Sequence, residues 1–135
     1  MREVADVHRD LFAEHADSYG DNVRDKVERC LAVTDSEYEG ANKRRDEYRE
    51  QAEAALEGFD LLLVPTLGVA PPPADVDEVT VREGLIRFTF PFNCLGWPAL
   101  SVPVGTASVQ IVGRAGDDGL VLGAGLSLER VTGKT

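Results

Sequence analysis

The stretch TFPFNCLGWPALSVPVG, Thr89 to Gly105, crowds aromatic residues, prolines and glycines around a short apolar run. Prolines fix turns and glycines let backbones approach closely. The pattern therefore predicts a turn followed by a buried strand over Ala99 to Val102, bracketed by Pro98 and Pro103. Upstream, Phe59-Asp60-Leu61-Leu62-Leu63-Val64-Pro65 is a nearly continuous apolar run closed by proline, the signature of a strand buried on both faces. Such a strand calls for a covered, largely parallel sheet. Val109 to Val112, closed by Gly113, is a third strand candidate. Between the first two, Pro71-Pro72-Pro73 reads as an extended surface connector with neither helix nor ladder.

Before Gly58 the period is helical. Val4, Val7, His8, Leu11 and His15 mark one face of a first helix, and Gly20 interrupts it. Val23, Val27, Cys30 and Leu31 form the stripe of a second helix ending near Ala32. Thr34-Asp35-Ser36-Glu37 is a capping box that opens a long third helix. Its buried stripe is Tyr38, Ala41, Tyr48, Ala52, Ala55 and Leu56, and Gly58 stops it. At the other end, Asp117-Asp118 introduces a last helix with Val121, Ala124, Leu126 and Leu128, weakened by Gly123 and Gly125 at about 1 kcal/mol each. The expected fold class is α/β: N-terminal helices, then a small mixed sheet, then a C-terminal helix. Residues 1–135 are read as a single domain or fragment, helical over 1–57, with strands, loops and the final helix over 58–135.

Composition narrows the function classes. A chain of 135 residues has room for one ordinary core. Its net charge of -10, from 24 acidic and 14 basic residues, argues against a nucleic-acid partner. The Lys43-Arg44-Arg45 run is neutralised at helical spacing by Asp46, Glu47 and Glu50. No apolar run approaches the roughly 20 residues of a membrane helix, so no membrane partner is expected. Cys30 and Cys94 stand far apart without paired spacing, which points to a reducing, cytoplasmic setting.

Chemistry-bearing motifs are few. His8 and His15 are two turns apart on one helix and lack a third ligand, so neither metal nor cofactor is expected. No G-x-S-x-G elbow occurs, and Gly119 to Gly125 holds only an incomplete dinucleotide fingerprint.

Three motifs in order, FDLLLVPT, then TFPFNCLGWPALSVPVG, then VQIVGR, closely resemble the carboxy-terminal part of the amidase signature family. Upstream EYEGANKRR resembles the helix before the family's strand, and DDGLVLGAGLSLE resembles its final helix, so the likeness spans nearly the whole chain. The resemblance implies membership of a larger α/β fold that hydrolyses amide bonds with a serine nucleophile, a second serine and a neutral lysine. The family's glycine- and serine-rich segment and lysine segment have no counterpart here. Lys26, Lys43 and Lys134 lie in charged helical or tail contexts, and Ser101 reads as a small residue of a buried strand. No catalytic residue carries over.

The resemblance makes the chain roughly the last third of an amidase, completing the sheet and substrate pocket and inactive alone. Thr89, Phe92 and Asn93 are the candidate substrate-binding residues: two polar groups able to orient a substrate or hold a loop, and an apolar wall. The expected partner is the missing catalytic portion or a second copy, held by a sheet edge or the Phe88, Phe90 and Phe92 segment. The alternative is a stand-alone binding or assembly module on the same scaffold. The family's connection after Pro103-Val104-Gly105 is longer than the Thr106, Ala107 and Ser108 present here, which fits either a tight hairpin or a deletion.

Overall fold

Helix starts and stops follow the local chemistry closely in the computed structural model, which describes residues 1–76 and 78–133. The chain divides into two compact units, Met1–Asp46 and Glu47–Thr135. In the first, helix α1 (Arg2–His15) leads through a 3-10 turn at Ala16–Ser18 to α2 (Asp21–Leu31), with Gly20 at its N-cap. Ala5 is fully buried, and its small side chain permits the close packing of α1 on α2, where Val27 and Cys30 are buried. His8 Nδ1 and the Tyr19 hydroxyl lie 2.9 Å apart, and Phe12 meets Tyr19 edge-on at 5.3 Å.

The packed side of α1 thus runs through Ala5, His8 and Phe12. The expected stripe is corrected: Val4, Val7, Leu11 and His15 are exposed.

Helix α3 (Asp35–Ala55) opens on the expected capping box. Thr34 N–H donates to Glu37 Oε2 at 2.9 Å, and Glu37 N–H donates to Thr34 Oγ1 at 3.3 Å. The Arg2 guanidinium secures the preceding turn, donating to Val33 O at 3.1 Å and pairing with Asp35 at 2.8 Å. The predicted stripe of α3 is largely bare, with Ala41, Tyr48 and Ala55 exposed, and burial begins only at Leu56 beyond its end. Gly58, at φ 81°, takes the left-handed position that stops the helix turn.

In the second unit, β1 (Leu62–Pro65) is followed by α4 (Glu78–Ile86) and α5 (Phe90–Leu95). Strands β2 (Ala99–Val104) and β3 (Ala107–Val112) and helix α6 (Asp118–Thr132) complete it. Pro71 to Pro73 make no ladder, as expected. The sheet order is β1-β3-β2, and both pairings are antiparallel. The largely parallel sheet expected from the Phe59 to Pro65 run is therefore absent among the described residues. A two-residue loop, Gly105-Thr106, joins Val104 to its partner Ala107, so the short connection is a tight hairpin. Glycine leads that loop at φ 60°, the position where a two-residue hairpin turn favours it. Both outer strands carry a proline, Pro65 in β1 and Pro103 in β2, where a missing N–H costs no ladder bond.

Register decides which residues meet which layer. Leu62, Val64 and Val112 pack on Leu56, Phe92, Leu95 and Trp97 on one face. Ile111, Val102 and Leu100 pack on Val121, Ala124 and Leu128 of α6 on the other. The sheet is thus covered on both sides, but β1 itself alternates: Leu63, on the α6 side at an edge, is 63% exposed. Gly125 lets α6 approach Leu100, since a methyl group there would collide with the Leu100 side chain. Leu126, expected in the buried stripe, points away from the sheet and is exposed.

Candidate functional site

The quoted aromatic stretch folds as a helix before it becomes a strand. Thr89 takes the N-cap position of α5, Pro91 lies in its first turn, and Gly96 follows its end at φ 69°. Trp97 N–H donates to Phe92 O at 3.1 Å and Gly96 N–H to Asn93 O at 3.3 Å, a Schellman closure. The motif brings Phe92 and Trp97 into one buried cluster. A strand does run from Ala99, though as an edge with alternating burial rather than the buried strand expected. The turn expectation fails over Phe90–Leu95, where proline near the start and glycine after the end stabilise a helix.

A pocket of about 560 Å³ opens beside this helix. The last turns of α3 supply Tyr48, Gln51, Ala52 and Ala55, the turn just after it supplies Leu56, and β1 supplies Leu62. Arg87 and Phe88 lie between α4 and α5, and Pro91, Phe92, Leu95 and Trp97 complete the wall. This volume is ordinary for a small-molecule site. Gln110 fixes the wall from beneath: this buried side chain donates from Nε2 to Phe88 O at 2.7 Å. The Arg87 guanidinium lies over the Phe88 ring, 6.0 Å from its centroid. Arg114 ties the pocket floor to the sheet by donating to Leu56 O and, at 3.0 Å, to Phe59 O.

Of the three residues nominated from sequence, Phe92 lines the pocket. Thr89, half-buried, donates its hydroxyl to Ile86 O at 3.3 Å, and Asn93 is exposed on α5. Neither is in the pocket wall. Sequence reasoning missed Arg87, Gln51 and Tyr48, because no local pattern marks residues that meet only through the packing of α3, β1 and α5.

Ser101, expected to be buried, is exposed on the edge strand β2, its Oγ 2.7 Å from Thr66 Oγ1. A hydroxyl pair without a base supplies no activated nucleophile. In the first unit, His15 lies 3.9 Å from Glu14. Lys26 and Lys43 are exposed on α2 and α3, and Lys134 lies outside the described residues. Among the described residues, no three His, Cys, Asp or Glu side chains cluster as metal ligands.

Comparison with known proteins gives a consistent picture. A family model described as Amidase matches residues 1–122. A Mycobacterium tuberculosis protein assigned as the amidase AmiD is 32% identical over 97% of this chain and 30% of its own length. A subunit of the glutamyl-tRNA(Gln) amidotransferase of Rhodospirillum rubrum is 34% identical over 89% of this chain and 27% of its own length. A crystal structure of an amidase superposes with a TM-score of 0.86 at 34% identity, covering 97% of this chain and 33% of that one. Across curated relatives such as these the chain spans between 18% and 48% of their length, and 30% of the amidase AmiD.

Proposed function

This chain belongs to the amidase family, and from that premise we propose that it is the carboxy-terminal portion of an amide hydrolase, completing the sheet and the substrate pocket and inactive alone. The observation that carries this reading is the pocket between α3, β1 and α5, to which the quoted aromatic stretch contributes Pro91, Phe92, Leu95 and Trp97. Phe92 forms its apolar wall, while Thr89 and Asn93, at the start and middle of α5, orient the substrate where the catalytic portion meets this helix. Ser101, paired with Thr66, has no base among its hydrogen-bond partners within the described residues and does not act as nucleophile. The two free cysteines suit a reducing compartment, and we assign the protein to the cytoplasm.

The test is direct. The purified chain is expected to give no turnover of simple aliphatic or aromatic amides above buffer. Co-expression with the preceding two-thirds of a related amidase is expected to restore turnover, and Asn93→Ala in that complex to lower kcat/KM about tenfold. Turnover by the chain alone that disappears in Ser101→Ala overturns the reading.

A second reading rests on the pocket being lined entirely by residues of one unit, Tyr48 to Trp97. A chain that holds a complete pocket can serve as a binding or assembly module. Its partner would then be a second copy, through a sheet edge or the segment where Phe90 is 57% exposed.

A further inference from the structure

The pocket's charge is unlike that of the chain around it. The protein carries 24 acidic residues against 14 basic ones. Yet among the described residues the pocket wall contains no carboxylate, and its single charged side chain is Arg87. Around that cation the lining is aromatic and aliphatic, with Phe88, Phe92, Trp97, Leu56 and Leu62. The guanidinium carbon lies 6.0 Å from the centroid of the Phe88 ring, and the planar group carries five N–H donors in a fixed fork. A planar fork of donors beside an apolar wall matches one ligand chemistry in particular.

We propose that this pocket binds a small apolar carboxylate, with its aromatic or aliphatic body against Phe92 and Trp97 and its carboxylate on the Arg87 guanidinium. The proposal rests on the substrate-pocket reading and gives it a chemical class. An arylalkanoic or short fatty acid is also the acid half released when an apolar amide is hydrolysed. A cationic ligand of the same shape is rejected, because the wall offers it no carboxylate and Arg87 repels it.

The molecule carries its own reporter. Trp97 is the one tryptophan of the chain, is buried, and lines the pocket. Titration of 3-phenylpropionate into the intact chain, read by Trp97 fluorescence, is expected to saturate below ~10 mM, as befits a fragment-sized ligand. The neutral isostere 3-phenylpropionamide should bind about tenfold more weakly, the value of one charge-assisted contact, and 3-phenylpropylamine should give no saturable response.

Arg87→Gln, at an exposed position, should remove the carboxylate's advantage over the amide while leaving the circular dichroism spectrum that of the parent. Ala55→Phe, which fills the mouth of the pocket from α3, should abolish both responses. Added salt should weaken the carboxylate alone. Equal affinity for acid and amide, an Arg87→Gln variant that binds the acid as the parent does, or the absence of any fluorescence change overturns the proposal. Because the readout is binding to the chain by itself, a failure of the hydrolysis complementation leaves this result standing, and the reverse holds equally.

Discussion

Glu37 shows how much one exposed carboxylate depends on its neighbour. The Thr34 backbone N–H, and secondarily the Thr34 hydroxyl, donate to it and hold its pKa below the ordinary 4.5. A depressed carboxylate stabilises the fold fully above its unfolded value, and that contribution disappears as pH falls through the lower folded value. Thr34→Ala is expected to cost about 1 kcal/mol at neutral pH by removing the cap. Urea midpoints of parent and variant should approach one another as the pH falls below 4.5 and Glu37 takes up its proton. A gap that stays constant into acid would show that the carboxylate plays no part in it.

Element by element, glycines separate two kinds of tolerance. At buried Gly113, a methyl group would lie 2.8 Å from Val121 Cγ2 and 2.9 Å from Asp117 Cβ, neither of which can swing aside. Gly113→Ala is expected to destabilise by about 1–3 kcal/mol through overpacking between β3 and α6. Gly123, on the solvent side of α6, has nothing within 4 Å of the same methyl group, and Gly123→Ala should stabilise by about 0.5–1 kcal/mol. Thermal denaturation of the two variants checks both signs, and a shared direction would refute the packing assigned to α6. The same contrast explains what could be read in advance. Helices α1, α2, α3 and α6 and all three strands carry periodic patterns, caps or proline and glycine boundaries within their own residues. Helix α4 was not read because Val79, Thr80 and Val81 are poor helix formers. Helix α5 was legible in principle, through Pro91 and Gly96, but the crowding of proline and glycine around it favoured a turn. Burial on α1 and α3 escaped because it depends on where neighbours come to rest, and the pocket around Phe92 escaped in the same way, apart from Phe92 itself.

At the scale of the whole molecule, the two units are unequal. Met1–Asp46 buries the side chains of Ala5, Val27 and Cys30, whereas Glu47–Thr135 encloses a sheet between two apolar clusters. Trp97 reports only the second unit, while far-UV circular dichroism sums the helices of both. Heating is therefore expected to remove part of the helical signal before Trp97 fluorescence changes, so that the two transitions do not coincide. Superimposable curves would mean that the units unfold as one. The prolines in the outer strands have a different consequence, for what happens when many copies meet. Neither β1 nor β2 presents an uninterrupted row of N–H donors, since Pro65 and Pro103 each leave a gap. Open-ended stacking into fibrils needs such a row on both sides of every chain. The fold thus guards against amyloid growth at the two places where its sheet is open.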